Sequence, residues 1–423
     1  YLKALEMEPN NAGTHNGLGN CYYGAAYYQK AFDCYLKAIE IDPKTGVYHE
    51  NLGLALRGLG RWEDAEKAYL KVLEIEPNNA GTHNGLGNCY YGGADYQKAV
   101  DCYLKAIEID PQVSVYYENL GLAFRGLGRW EGAEKAYRKA IEIEPQNASY
   151  HNGLGNSYYG AADYRKAIDC YLKAIEIDPG VAVYHENIAV SFGGLGRPEE
   201  AEKAYLKALE FEPNNSNYHN GRGNTLFKRN KYEDAIPCYQ KAIEIDPGVA
   251  VYHENLALAF RAAQRWEEAQ KAFLKALEMG PKNAAYHNGL GITYFGGGEL
   301  EKAVDCYLRA IEIDPGVAVY HENLGLVLRG LGRWEEAERA YLRAVQIEPH
   351  NAESQNGLGN TYYGKGNYQK AADCYIKAIE IDPGVAVYHE NLALAFRGLG
   401  QLEDAEKAHQ KAVEIQPQIG SLQ

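Results

Sequence analysis

Across 423 residues, 43 Lys and Arg face 57 Asp and Glu, a formal balance of −14 that argues against a protein built to hold a phosphate backbone. With 46% hydrophobic and 24% charged residues the composition is that of a folded globular chain, and no apolar run approaches the roughly 18 residues needed to cross a bilayer. The 36 Tyr and 45 Gly beside only 2 Met and 4 Trp are lopsided enough to point to internal copying.

The copying has a period of 34: Pro43, Pro77, Pro111 and their equivalents up to Pro417 recur without insertion or deletion. Twelve whole repeats run from 12–45 to 386–419, residues 1–11 read as the tail half of a preceding repeat, and 420–423 as the start of a further one or a tail. Within each repeat, apolar and small residues recur at helical spacing in two bursts, such as Leu52, Leu56 and Leu59, then Ala65, Ala68, Tyr69 and Val72. Each repeat is therefore expected to be a helix, a tight turn and a second helix that stops before the closing proline. Gly58 and Gly60, or Gly92 and Gly93, mark the turn, and Gly53, Ala65 and Val72 mark where two antiparallel helices approach. One hairpin cannot bury its apolar face alone, so neighbours must stack.

A 68-residue period overlies the first. Odd repeats read like THNGLGNCYYG over 14–24, even repeats like YHENLGLALRGLGRW over 48–62. Trp62, Trp130, Trp266 and Trp334 keep this longer grid, with Pro198 and Leu402 in the same place in the two remaining even repeats. In the repeat 216–249, Arg222 stands where a core leucine is expected and Pro237 falls inside the second helix, which makes that repeat the expected weak point.

Leu18, Gly19, Tyr22, Ala31, Tyr35, Ala38 and Pro43 follow the pattern Leu-Gly-x2-Tyr, Ala, aromatic, Ala, Pro, and on these residues the chain resembles the tetratricopeptide repeat family. The resemblance implies an all-α, right-handed superhelical solenoid of antiparallel helix hairpins, and binding rather than chemistry. The main departure is the family's Trp place, which holds His15, His49, His83, His151, His185, His219, His253, His287, His321 and His389, with Tyr117 and Gln355 in the other two repeats.

Ten imidazoles on a lattice invite a metal reading, but zinc needs ligand nitrogens within ~3.5 Å of one another. Equivalent places on stacked helices lie roughly 10 Å or more apart. The row is read as amphipathic rings filling the Trp slot, and no metal or other cofactor is implied. The eight cysteines obey the lattice as well, so same-place partners two repeats apart are too distant for a disulfide. Cys21 with Cys34 and Cys89 with Cys102 are the only local candidates, and later odd repeats lose the first partner. Unpaired cysteines favour a reducing compartment such as the cytoplasm. The sequons at Asn147 and Asn214 do not recur on the lattice. No phosphate-binding glycine loop or recurrent serine nucleophile is present, so the chain does not read as an enzyme.

The family resemblance assigns the first helix of each hairpin to the concave groove. Odd repeats then present Asn16, Asn20 and Tyr23, Asn84, Asn88 and Tyr91, Asn152, Asn156 and Tyr159, Asn288, and Asn356, Asn360 and Tyr363. Even repeats present Val47, Glu50, Leu54 and Arg57, with Glu118, Arg125, Arg261, Arg329 and Arg397 at matching places. Spacings of three, four and seven put each set on one helical stripe. Asparagine offers donor and acceptor together, so a row of it can hold an extended backbone regardless of side chains. The rows resemble the asparagine ladder in the repeat domain of O-GlcNAc transferase, which Asn51 and its even-repeat equivalents match best; the same rows can equally bridge adjacent helices. The carboxylate clamp of chaperone-binding relatives is a poorer match, because Asn16 or Glu50 stands where its lysine is needed. Tyr23 and its equivalents beside Gly24 suggest a shallow slot for a peptide side chain or a sugar, with arginines supplying charge between slots.

These features describe a non-enzymatic interaction scaffold whose partner is a protein or peptide held in extended form, with room for a glycan contact and none for nucleic acid or membrane insertion. The alternative is a structural protein that assembles with itself into a superhelical filament, part of a longer array and extracellular in that case. Its motive is that neither Tyr1 nor Gln423 belongs to a polar capping helix, and that twelve repeats keep the odd and even alternation across a junction.

Overall fold

The computed structural model describes residue 1 and residues 7–419. Residues 2–6 of the expected leading tail and the expected further start at 420–423 lie outside the described residues. Among the described residues all regular structure is helical: 24 helices in twelve successive pairs, from Ala12–Gly24 with Tyr28–Ile41 to Ala386–Gly398 with Leu402–Ile419. Within each of the two bodies, each helix packs chiefly on its neighbours in the chain, the pattern of a stack of hairpins. The stack divides into two compact bodies, Tyr1–Pro213 and Asn214–Gln423.

Local chemistry starts odd and even repeats differently. Odd first helices are capped by asparagine: Asn11 Oδ1 accepts the Thr14 amide at 3.0 Å, and Asn79 the Thr82 amide at 3.0 Å. Even first helices have Thr45 or valine at that place and no side-chain cap. Their approach is fixed one turn earlier, where Asp42, Asp110 and Asp178 accept the backbone amide two residues on.

The turn corrects the expected role of the glycines. The residue that adopts left-handed geometry is Gly60 (φ 71°), Gly128 (φ 67°) and their equivalents, but in the third repeat it is Ala94 (φ 61°), not Gly92 or Gly93. Ala26 and Ala162 are held at φ 60° in the same way. A Cβ in this region costs about 1–2 kcal/mol, only part of which returns through the unfolded chain's entropy.

Gly92 serves packing instead. A Cβ there would stand 2.6 Å from the Trp62 ring of the preceding repeat, and Gly160 and Trp130, Gly296 and Trp266, Gly364 and Trp334 repeat the arrangement at 2.4 Å. In even repeats Gly58 and Gly126 lie under Tyr28 and Tyr96 in the same manner. The centre of the core is a second such series. Tyr35, Tyr69, Tyr103, Tyr137 and Tyr171 are 1–2% exposed, each lying on a glycine of its own first helix. Gly53 marks the seat of the Tyr69 ring rather than a bare helix-to-helix approach. Even-repeat rings are pinched from both sides: Tyr69 between Gly53 and Gly85, Tyr137 between Gly121 and Gly153, Tyr341 between Gly325 and Gly357.

The repeat 216–249 keeps the fold. Tyr232–Ile245 runs on through Pro237, and Arg222 is half-buried where Leu154 and Leu290 are buried. Pro237 removes one backbone donor and crowds the preceding turn, a helix-interior cost of about 3 kcal/mol. Hydrogen exchange should accordingly show the amides of Tyr232–Ile245 opening more readily than those of Leu300–Ile313; equal protection would contradict this. Replacing Ala26, Ala94 and Ala162 together with glycine should raise the thermal midpoint, each change contributing up to about 1 kcal/mol. A lowered midpoint would show that these alanines are not strained.

Candidate functional site

The first helices carry two asparagine rows, and the structure ties both to the scaffold by their oxygens. Asn51 Nδ2 donates to Asn16 Oδ1 at 2.8 Å, and the pattern recurs from Asn119 to Asn84, Asn187 to Asn152, Asn323 to Asn288 and Asn391 to Asn356 at 2.8–2.9 Å. These pairs join each odd first helix to the even one that follows. In the other row, Asn20 Oδ1 accepts the Tyr35 hydroxyl at 2.9 Å, as Asn88 does from Tyr103, Asn156 from Tyr171 and Asn360 from Tyr375 at 2.8–2.9 Å. Each carboxamide oxygen thus holds the scaffold, which leaves the NH2 groups of these rows as donors. The supporting tyrosines were not among the sequence-derived site residues, although a constant 15-residue separation was available as a signal. Where Ile292 replaces the asparagine, Tyr307 has no counterpart bond.

Tyr23, Tyr91, Tyr159 and Tyr363 stand one turn further along, each tilted against the aromatic that opens its own second helix at 5.3–5.5 Å between ring centres. Tyr159 and Tyr363 remain 38% and 37% exposed. The slot expected beside them is filled by a tryptophan 30 residues upstream at Gly92, Gly160 and Gly364.

Most of the arginines are placed differently from the expectation of charge between slots. Arg57 turns inward: its Nε is buried, and its guanidinium lies beside the Tyr69 hydroxyl, partly offsetting the burial that pushes that phenol up to about 12. Arg125 stands in the same relation to Tyr137 and Arg329 to Tyr341. Arg261 faces Phe273, with its guanidinium 6.0 Å from the ring centre and Nη1 reaching the Gly289 carbonyl at 3.5 Å; desolvation lowers its pKa. Only Arg397 is exposed.

Glu50 and Glu118 are half-buried. Burial raises both carboxyls, and a second carboxylate, Glu76 or Glu144, raises each further. Ser114 donates to Glu144 and lies 2.9 Å from the Tyr150 hydroxyl, so the second carboxylate is fixed in place. Exposed Val47, Val115 and Val251 supply apolar surface on the even first helices. The histidine row meets backbone: Nε2 of His15, His49, His83, His151 and His287 donates to the proline carbonyl six residues earlier at 2.9–3.0 Å. This gives the rings a structural role in holding each inter-repeat loop.

A carboxyl whose folded pKa is raised stabilises the fold below its unfolded value and loses that contribution as pH rises through the folded one. The contribution of these two glutamates should therefore increase as pH falls from 7 towards 4.5, their ordinary value, while His185 and His321, lowered by burial, oppose it below 6.5. Asp64 and Asp95, held low by their Arg and Lys partners, oppose this only below their ordinary 3.8. Glu50→Gln with Glu118→Gln should raise the melting temperature at pH 7 and flatten its pH slope; an unchanged slope would refute the assignment.

Stacked hairpins with one helix layer carrying periodic polar rows define a helical-repeat solenoid. Models of the tetratricopeptide repeat match 12–45, 45–112, 121–161, 148–181, 182–215, 216–249, 255–318, 316–383 and 352–418. The chain belongs to the tetratricopeptide repeat family. Similar solved structures include yeast Tom70, 14% identical over 95% of this chain and 96% of that one with a TM-score of 0.43. MamA is 31% identical over 38% of this chain and 95% of that one, TM-score 0.36. YrrB, described as a TPR protein with an unusual peptide-binding site, is 26% identical over 43% and 94%, TM-score 0.37. No curated protein sequence matches the chain.

Proposed function

We propose that the chain is a protein-interaction scaffold that holds an extended segment of a partner along its first helices, gripping backbone carbonyls with asparagine NH2 groups. The observation that carries this reading is the division of labour within each carboxamide: the oxygen is engaged by Tyr35 and its equivalents or by the Asn51 row, and the nitrogen is left to donate. Tyr23, Tyr91, Tyr159 and Tyr363 add aromatic surface for side chains, and Val47 and its equivalents add apolar surface. With Arg57, Arg125, Arg261 and Arg329 drawn towards the core, charge contributes little, so the segment is recognised mainly by its backbone and apolar side chains. The filament alternative rests on chain ends that lie largely outside the described residues, and no observation favours it over the scaffold.

The experiment follows from the same geometry. Asparagine to alanine would strip Tyr103 and Tyr171 of their acceptors at about 1–3 kcal/mol each and confound binding with stability. Aspartate keeps the acceptor and removes the donor. Asn84→Asp, Asn88→Asp, Asn152→Asp and Asn156→Asp in one chain should abolish capture of an extended partner while leaving helical content intact at the temperature of the assay, the four half-buried carboxylates lowering only the melting temperature. Undiminished capture would overturn the proposal.

A further inference from the structure

The second helices carry a face that the first-helix rows do not use. In the four consecutive repeats from 250 to 385, Leu274, Leu308, Leu342 and Ile376 are 45%, 50%, 38% and 39% exposed. Three residues before each, on the same side of the helix, the charge alternates: Lys271, Asp305, Arg339 and Asp373, all exposed. Between Leu300–Ile313 and Trp334–Ile347 a cleft of about 360 Å³ opens at the middle of this row, lined by Leu308, Leu324, Arg339 and Arg343 among others. In the first body the corresponding apolar run is broken by Arg138 between Leu104 and Leu172.

A row of signs reading plus, minus, plus, minus is its own complement under a two-fold axis through its midpoint. Lys271 then meets Asp373 of the second copy, and Asp305 meets Arg339. The central leucines meet at the cleft. We propose that this face pairs two copies of the chain side by side through an isologous contact, Leu342 of each copy entering the cleft beside Leu308 of the other. The occupant is a second copy because the spacing of the signs is the chain's own 34-residue repeat, which a helix of another protein does not reproduce. Electrostatics favours the same place. The chain as a whole carries −14, yet these four charges cancel, as do the flanking pairs Lys275 with Glu278 and Arg309 with Glu312. Four exposed side chains and their flanks make a contact smaller than the about 800 Å² per partner of a standard interface, so the pair should be weak and reversible.

Sedimentation velocity of the full chain from about 1 μM to about 1 mM tests this. The unaltered chain should pass from one copy to two. Asp305→Lys alone and Arg339→Asp alone should each lose at least about tenfold in self-association, because like charges then face each other twice in each pair. An equimolar mixture of these two variants should pair again, since Lys at 305 of one meets Asp at 339 of the other while the unaltered Arg339 and Asp305 meet as before. Leu308→Gln with Leu342→Gln should stay single, and Leu70→Gln with Leu104→Gln, on the first body, should behave like the unaltered chain. A chain that stays single up to about 1 mM, charge variants that pair as the unaltered chain does, or a mixture that stays single would overturn the proposal.

Discussion

A tyrosine ring packed against bare glycine backbone is the contact on which the rest of this structure depends. Tyr35, Tyr69 and their equivalents are almost wholly buried, and the closeness of Gly19 or Gly53 leaves no room for a Cβ without moving the ring or the helix. Where alanine replaces that glycine, at Ala189, Ala257 and Ala393, it is itself buried. In even repeats the next hairpin adds a second glycine on the far side, so the ring sets the distance between repeats as well as within them. Dispersion over a flat ring falls steeply with separation, which explains why such a stack keeps its register over so many copies.

Burying a tyrosine also buries a hydroxyl, and odd and even repeats place different side chains beside it. Odd repeats answer with Asn20 and its equivalents, whose oxygen turns to the phenol while the NH2 remains. Even repeats place Arg57 or Arg125 beside the hydroxyl, which turns a positive charge inward. The 68-residue module thus carries two surroundings for one buried group, an asparagine oxygen that accepts from it in odd repeats and a nearby arginine that makes no hydrogen bond to Tyr69 in even ones. Under the proposed function, the amide donors and rings that remain are what a partner's backbone and apolar side chains would meet.

Much of this was legible in the sequence because it is local. The proline grid, the two helical bursts and the odd and even signatures required only spacing, and the two helices of each repeat appear where those bursts stand. The glycines were read through turn chemistry, and there sequence reasoning failed: the partner of Gly92 is Trp62, 30 residues upstream in another repeat, and no local pattern reveals a contact of that kind. The left-handed residue fell on Ala94 because the backbone path at the turn is imposed by the packing of the two helices, whichever side chain is there. Asparagine rows could be read as binding or bridging, and the structure shows the bridging bonds of Asn16 and Asn88, while binding through their NH2 groups is the function proposed. The direction of Arg57 depended on the position of the Tyr69 hydroxyl, which only the assembled repeats define.

The account turns on the orientation of those carboxamides. Neutron diffraction from a deuterated crystal would locate the deuterons directly. The account predicts a deuteron on the Tyr103 oxygen directed at the Asn88 oxygen, with the ND2 group of Asn88 turned away towards the groove, and the same at Tyr171 with Asn156. An ND2 group donating to the tyrosine oxygen, with the asparagine carbonyl turned outward, would make the groove a row of acceptors and contradict it.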